Sequence, residues 1–172
     1  MTRVVAAARS VTDQLLIVGS APLPAGLTVP VVPDEGGGSG PARGLWTALQ
    51  ALKTPLVLLL AWDMPFVEPA LLRYLAGLAG GPQDAVAPRV AGRPQPLCAV
   101  YSRSCLPALE SLLTGATSPG GRGPSLTSLL ERSRTRWVEA EELAPFGPLE
   151  RLFFNLNTPE DLARAQELAR ES

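Results

Sequence analysis

Apolar residues along the chain fall into short continuous runs that alternate with stretches of helical spacing. Residues 15–18, 29–32 and 56–62 form such runs, each followed by Gly, Pro or Asp, and this pattern is typical of buried parallel strands. Between the second and third runs, apolar residues recur at helical spacing over residues 45–52. The run at 56–62 is the strongest strand prediction in the sequence.

The second half of the chain continues the alternation less regularly. The pattern predicts strands at 84–88, 96–101 and 136–140, and helices at 4–8, 69–79, 107–113 and 125–131, with Ser125 as a cap. Thr158 and Asp161 form a capping-box pattern around Pro159 at the start of a final helix. Strands alternating with helices predict an α/β fold whose mainly parallel sheet is covered on both faces. The length suits one domain over residues 1–172.

Composition and charge narrow the class of protein. The apolar fraction is 46% and the charged fraction 18%, which excludes global disorder. With a net charge of −1, the chain has no excess of basic residues, so we expect no nucleic-acid partner. The longest apolar run, 56–62, is far shorter than the ~18 residues of a membrane span, and no signal peptide is visible. Cys98 and Cys105 are expected to be reduced packing residues of a cytoplasmic protein.

The sequence contains no histidine, and this restricts the chemistry. Ser-His-Asp and Cys-His hydrolase mechanisms are excluded, as is an imidazole general base. Any reaction must use carboxylates, arginines, backbone amides or a bound metal.

Asp63 directly follows the strand predicted at 56–62. In open α/β sheets, ligands bind beyond the carboxyl ends of the strands. A carboxylate in this position can cap a helix or form an ion pair. Alternatively it can bind Mg²⁺, which often takes one or two protein carboxylates and completes its shell with water and phosphate oxygens.

Asp34 follows the strand predicted at 29–32 and precedes a glycine-rich stretch, 36–44. Asp34 fits a simple turn residue, and the glycines fit a flexible loop. The alternative is a loop of close approach, in which backbone amides and the next helix N-terminus contact a nucleotide. The stretch is not a Walker A motif, because no Gly-Lys-Ser/Thr follows it.

Five segments in order resemble the molybdenum cofactor guanylyltransferases, which are MobA-like nucleotidyltransferases. They are Asp34, Gly-Pro-Ala-Arg-Gly-Leu at 40–45, Leu-Ala-Trp-Asp-Met-Pro-Phe at 60–66, Gly-Arg-Pro-Gln-Pro-Leu-Cys-Ala-Val-Tyr at 92–101 and Phe-Asn-Leu-Asn-Thr-Pro-Glu-Asp-Leu at 154–162. The resemblance covers nearly the whole chain. It implies a three-layer α/β/α nucleotidyltransferase fold with a mainly parallel, Rossmann-like sheet.

The resemblance also implies a reaction and roles for residues. GMP would pass from GTP to molybdopterin with Mg²⁺, and pyrophosphate would be released. Asp63 would bind the metal and the nucleotide phosphates, with the guanosine contacted by Asp34, Gly40 and Gly44, and the acceptor by Gln95, Pro96, Asn155 and Asn157. A phosphate monoester is largely dianionic at neutral pH and needs no general base, which suits a chain without histidine.

The sequence departs from the family pattern at its start. The family begins with a strand, a Leu-Ala-Gly-Gly and Arg-Met-Gly loop and a lysine that hold the triphosphate, and residues 1–172 contain none of these. Met1 is expected inside the helix that follows that loop. We therefore expect an irregular sheet centre between 15–18 and 56–62, or a homodimer formed through strands. The cations that could replace the lysine are Arg43, Lys53, Arg89 and Arg93.

Three hypotheses remain open at this stage. The chain is an active guanylyltransferase, a non-catalytic MobA-like binding module, or a nucleotidyltransferase of the same fold that uses CTP or a sugar phosphate. A pyrophosphate-release assay that compares GTP, CTP and a sugar phosphate tests the third hypothesis, and calorimetry of GTP binding in magnesium tests the catalytic one.

Overall fold

The structure is a computed structural model that describes residues 1–20, 22–33, 40–115 and 125–170. The helices are α1 (Thr2–Arg9), α2 (Pro41–Leu52), α3 (Pro69–Leu78), α4 (Leu106–Gly115), α5 (Leu126–Arg132), α6 (Ala140–Leu143), α7 (Leu149–Leu152) and α8 (Pro159–Arg170). The strands are β1 (Ile17–Val18), β2 (Val31–Val32), β3 (Leu56–Leu60), β4 (Ala85–Val90), β5 (Arg93–Pro94), β6 (Cys98–Ser102) and β7 (Thr135–Val138).

The strands form a larger and a smaller sheet. In the larger sheet, β6 lies between β3 and β4 and is antiparallel to both, and β7 pairs with the opposite edge of β4 in parallel. Strands β3, β4 and β7 therefore share one direction, and β6 is the reversed strand between them. Strand β5 forms a short antiparallel hairpin with the end of β4. In the smaller sheet, β1 and β2 pair in parallel.

Two apolar cores cover the two faces of the larger sheet. One core packs α1, α3, α6 and α7 against side chains such as Val86, Val100 and Val138. The other packs α2, α4 and α5 against Val57, Ala99 and neighbouring strand residues. Because successive strand residues point to opposite faces, each strand supplies both cores. The α/β fold with three layers is confirmed.

Most predicted elements lie within a few residues of their expected places, and the local signals explain why. Pro69 occupies the first turn of α3, where its missing N–H costs nothing. At α8, Asp161 N donates to Thr158 Oγ1 at 3.1 Å and Thr158 N donates to Asp161 Oδ2 at 2.9 Å, which confirms the capping box. Ser125 is the N-cap residue of α5, as predicted, although its side chain makes no capping hydrogen bond among the described residues.

The sheet centre is irregular, as expected. Strand β3 ends the larger sheet on one side, β1 ends the smaller sheet, and both line one cavity of about 890 Å³. We call this cavity the central cleft. Its walls are the segment 11–18, the segment 54–63 apart from Pro55, one side of α1 and one side of α2. The expected homodimer stays a prediction.

An ion-pair network ties α6 to β7 and α3. Arg136 Nη1 donates to Glu142 Oε1 at 3.0 Å, and the Tyr74 hydroxyl donates to Glu142 Oε2 at 3.0 Å. The hydrogen bond from Arg136 is the main cause that lowers the pKa of Glu142 to about 2. The charged form of this carboxylate is therefore the one that the fold stabilises.

Replacing Glu142 with Gln is expected to lower the free energy of unfolding by about 1 kcal/mol at pH 7. Because the folded pKa is depressed from 4.5 to about 2, the contribution of Glu142 is present above pH 4.5 and is lost as the pH falls toward 2. Urea unfolding of both proteins at pH 7, 4.5 and 3 measures this. Glu141→Gln, on the exposed side of α6, is the matched control. A difference between Glu142→Gln and the parent that stays constant from pH 7 to pH 3 contradicts the assignment.

Both cysteines are buried and free, as predicted. Burial raises the pKa of Cys98 to about 12 and that of Cys105 to about 11, so neither thiol is a reactive nucleophile at neutral pH. Among the described helices, none combines the length and hydropathy that crossing a bilayer requires.

Candidate functional site

Asp63 lies just beyond β3, on the loop that leaves the sheet, and lines the central cleft. Its Oδ1 atom is buried and has no hydrogen-bond partner within the described residues. Within the described residues, the Asp63 carboxylate forms neither a helix-capping hydrogen bond nor an ion pair. The helix-cap and ion-pair roles considered from the sequence are therefore not supported. A buried, unpartnered carboxylate oxygen costs free energy, which makes it the natural place for a ligand.

The loop that carries Asp63 is anchored by the residues after it. Met64, Phe66 and Val67 are buried, which fixes the chain direction on leaving β3. The Phe66 ring packs edge-on against Phe154, with ring centroids 6.1 Å apart, and the Arg151 guanidinium lies 5.0 Å from the Phe66 centroid. The loop is thereby held against the segment that precedes α8.

That second segment carries Asn155 and Asn157. The residue between them, Leu156, donates its backbone N–H to the Asp63 carbonyl oxygen at 2.9 Å. Asn155 is half-buried and its Nδ2 donates to the Phe153 carbonyl at 3.3 Å, whereas the Asn157 side chain is exposed. The structure thus brings the two asparagines beside Asp63, although about 90 residues separate them in the chain.

Gln95 and Pro96 follow the β4–β5 hairpin. Gln95 N donates to the Pro88 carbonyl at 2.9 Å, and the Pro96 carbonyl accepts a hydrogen bond from the Tyr101 hydroxyl at 2.8 Å. The next residue, Leu97, accepts from Ala61 N at 2.8 Å and lines the central cleft. Pro96 and Gln95 are therefore one and two residues away, along the chain, from the residue that hydrogen bonds to the Asp63 loop, but they do not themselves line the cleft.

Gly40 and Gly44 flank the start of α2 and line the same cleft as Asp63. Gly40 has φ of 131°, a conformation that favours glycine. Among the described residues, no atom lies within 4 Å of a Cβ atom built on either glycine. Asp34, the third residue expected on the guanosine side, lies outside the described residues.

The four cations considered for phosphate binding have different surroundings. Arg89 is paired with Glu139 and lies 5.1 Å from the centroid of the Trp137 ring, so it is already engaged. Lys53 ends α2, at the opposite end from the cleft glycines, and Arg93 is exposed on the hairpin.

Arg43 differs from the other three because it lies in the first turn of α2, between Gly40 and Gly44 in sequence, although its own side chain does not line the central cleft. Its guanidinium lies 5.6 Å from the Trp46 centroid, and its Nε is buried without a hydrogen-bond partner in the described residues. A cation is disfavoured at a helix N-terminus, so an anion beside Arg43 would relieve two costs at once.

The metal-binding capacity of the site rests on Asp63. No group of three or more His, Cys, Asp or Glu side chains within the described ranges could hold a metal ion. A single carboxylate with an unpartnered oxygen nevertheless fits Mg²⁺, which keeps several waters and is often bound together with substrate phosphates. It does not fit a structural zinc site, which needs four protein ligands.

Trp62 is a feature to which the sequence pattern gave no role. Its side chain is 65% exposed beside Asp63 and lines the central cleft. The sequence could have indicated this position, because Trp62 ends a run of apolar strand residues and precedes Asp63. Such a residue lies at the carboxyl end of a strand, where ligands bind in α/β sheets.

Comparisons with known proteins agree with this geometry. The family description "MobA-like NTP transferase domain" matches residues 1–136. A probable molybdenum cofactor guanylyltransferase of Pelotomaculum thermopropionicum is 36% identical over 142 residues, covering 83% of this chain and 66% of the relative. A second of the same name, from Chloroflexus aggregans, is 35% identical over 162 residues, covering 90% of this chain and 73% of the relative.

Solved structures give the same result. The crystal structure of molybdopterin-guanine dinucleotide biosynthesis protein A from Archaeoglobus fulgidus has a TM-score of 0.69 and 32% identity, covering 84% of this chain and 70% of that one. The 2-C-methyl-D-erythritol 4-phosphate cytidylyltransferase of Thermus thermophilus, at 21% identity and a TM-score of 0.67, shares the fold. The chain spans about two thirds of the length of the first curated relatives it matches. It belongs to the MobA-like NTP transferase family, among relatives named molybdenum cofactor guanylyltransferase.

Proposed function

We propose that this chain is a nucleotidyltransferase domain of molybdenum cofactor biosynthesis that transfers GMP from GTP to molybdopterin with Mg²⁺ and releases pyrophosphate. The observation that carries the proposal is the buried, unpartnered Oδ1 of Asp63 in a cleft that also contains Gly40 and Gly44. Relatives at 34–36% identity are named probable molybdenum cofactor guanylyltransferase, which supports guanylyl transfer as the reaction.

We assign roles to the residues from the family resemblance, and the positions of the described ones support the assignment. Asp63 would hold Mg²⁺, which would neutralise negative charge on the triphosphate as the GMP group is transferred. Gly40 and Gly44 leave space for the nucleoside beside the start of α2, with Asp34 as a further contact. Gln95, Pro96, Asn155 and Asn157 belong to the two segments that hydrogen bond to the Asp63 loop, and we assign them to the acceptor.

Arg43 is the cation that we assign to the nucleotide phosphates. Its buried, unpartnered Nε and its place in the first turn of α2 support this choice over Lys53, Arg89 and Arg93. A guanidinium can donate two parallel hydrogen bonds to phosphate oxygens. With a dianionic acceptor phosphate as nucleophile, catalysis consists of positioning and charge neutralisation rather than proton abstraction.

The test is pyrophosphate release from GTP with Mg²⁺ and molybdopterin, with parallel reactions that contain CTP or a sugar phosphate acceptor. We expect release with GTP and molybdopterin. Release with CTP or with the sugar phosphate instead assigns the chain to another transferase of this fold. Calorimetric binding of GTP without any release supports the non-catalytic alternative. A protein that neither binds GTP nor releases pyrophosphate contradicts the proposal.

We also propose the domain organisation, the compartment and the assembly of the protein. Residues 1–172 act as one domain, because Leu143, Leu152 and Phe153 pack in the same core as α1. The reaction takes place in the cytoplasm, which the two free buried cysteines support. The proposed assembly is a homodimer in which strand edges of the two copies pair.

A further inference from the structure

Trp62 is the one aromatic side chain that is exposed among the described residues. Its side chain is 65% exposed, whereas the other two tryptophans are half-buried and in contact with other groups. Trp46 donates its indole N–H to Glu110 at 3.3 Å, and the ring of Trp137 lies 5.1 Å from the Arg89 guanidinium. The Trp62 indole forms neither a hydrogen bond nor a ring contact within the described part of the chain.

The backbone on either side of Trp62 is held in place. Ala61 N donates to the Leu97 carbonyl at 2.8 Å, and the Asp63 carbonyl accepts from Leu156 N at 2.9 Å. A tryptophan on a fixed backbone has only two side-chain torsions to order when a ligand binds, so it offers a large flat surface at low entropic cost. Trp62 is therefore a preorganised apolar face at the carboxyl end of β3, where ligands bind in α/β sheets.

The surroundings of Trp62 limit the kind of ligand that can lie against it. The residue lines the central cleft, whose volume of about 890 Å³ is typical of small-molecule sites. It adjoins Asp63, whose Oδ1 is buried and unpartnered among the described residues. Of the described residues that line the cleft, Trp62 alone is aromatic. A ligand anchored at Asp63 through its phosphates therefore finds a single flat surface for a ring.

We propose that Trp62 is the stacking platform for the purine base of the nucleotide, and that it makes the site prefer purine to pyrimidine triphosphates. The inference rests on the proposed function, because it names a specificity residue of that same site. Stacking on an aromatic side chain contributes to the binding of any base, and the two fused rings of a purine cover more of an indole than the single ring of a pyrimidine.

The position of Trp62 favours the nucleotide over the acceptor as the source of this ring. A pterin is also a fused two-ring system, so stacking alone does not separate the two. Trp62 shares the cleft with Gly40 and Gly44, which we assign to the nucleoside, whereas none of the four residues that we assign to the acceptor lines it. The experiment therefore contains a pterin as well as nucleotides.

The test measures the affinities of GTP, ITP and CTP by calorimetry in Mg²⁺. Trp62→Leu keeps an apolar side chain but removes the flat face, and we expect it to weaken GTP and ITP about tenfold and CTP by less than about threefold. ITP lacks the 2-amino group of GTP, so an equal loss for both identifies stacking rather than a hydrogen bond at the base edge. Trp62→Phe keeps a smaller ring and should bind GTP within about threefold of the parent.

Tryptophan fluorescence gives a readout that an indirect structural role would not move. A purine stacked on Trp62 should quench indole emission, with the same concentration dependence as binding. Trp62→Phe should bind GTP but lose this quenching. The matched control Trp137→Phe should keep it, because the guanidinium of Arg89 lies against that ring. Thermal unfolding of each Trp62 variant should match the parent, since the indole makes no hydrogen bond or ring contact within the described residues.

Several results would overturn the proposal. An equal loss of GTP and CTP affinity in Trp62→Leu means that the residue supports the cleft and does not distinguish the bases. Weaker binding of 6-hydroxymethylpterin with unchanged binding of GTP assigns the ring surface to the acceptor. Unchanged GTP affinity in Trp62→Leu, with pyrophosphate release by the parent intact, removes Trp62 from base recognition and leaves the proposed function standing. A parent protein that neither binds GTP nor releases pyrophosphate overturns both.

Discussion

Asp63→Asn is expected to reduce pyrophosphate release from GTP by about 100-fold or more. A metal ion acting as a Lewis acid contributes several kcal/mol to transition-state stabilisation, and each ~1.4 kcal/mol is tenfold in rate. Asparagine keeps the size of the side chain but loses the charge that attracts Mg²⁺. Because Asp63 Oδ1 has no hydrogen-bond partner among the described residues, the substitution breaks no side-chain contact there, and the fold should remain intact.

The matched control is Asp13→Asn, which removes one charge from an exposed side chain at the edge of the same cleft. It should keep activity within about twofold, the size expected of a screened surface charge. Thermal unfolding of both variants confirms that each is folded before kinetics are compared. Substantial turnover by folded Asp63→Asn removes Asp63 from the metal role, and equal loss in both variants assigns the effect to net charge.

Leu45→Ala is expected to lower the free energy of unfolding by about 2–5 kcal/mol. Leu45 is 0% exposed on α2, in the core that covers β3 on one face. Truncation leaves a cavity under the helix that carries Gly40, Gly44 and Arg43. Urea unfolding measures the loss directly, and the affinity for GTP should fall with it because the start of α2 loses its support.

Leu162→Ala is the matched control, because it makes the same substitution at an exposed position. Leu162 is 52% exposed on α8, and its truncation should change the free energy of unfolding by no more than about 0.5 kcal/mol. If Leu45→Ala costs no more than Leu162→Ala, the packing of α2 on the larger sheet is not what stabilises this half of the domain.

Local periodicity predicted the positions of the main elements because most of them are buried on one or both sides. The strand at 56–62 was recognisable since β3 lies between two helix layers. The runs at 15–18 and 29–32 were predicted too long. The structure contains two-residue strands there, because β1 has no ladder partner on its cleft side within the described residues.

The parts of the site that depend on distant contacts could not be read from the sequence. The ion pair of Arg89 with Glu139 joins residues 50 positions apart and removes Arg89 from phosphate binding. The hydrogen bond from Leu156 to Asp63 and the packing of Phe66 on Phe154 are similarly remote. The order of the motifs indicated that these segments belong together, but which backbone groups join them followed from the tertiary structure.

The hydrogen bond between Leu156 and Asp63 has a consequence for engineering and for evolution. The family match ends at residue 136, whereas Asn155 and Asn157 come from the segment beyond it and reach Asp63 through one backbone contact. A backbone donor is supplied by any residue except proline. Positions 155 and 157 can therefore vary in their side chains without removing this contact, whereas Phe153 and Phe154 are held by packing. Under the proposed roles, this join is a point at which acceptor preference can diversify.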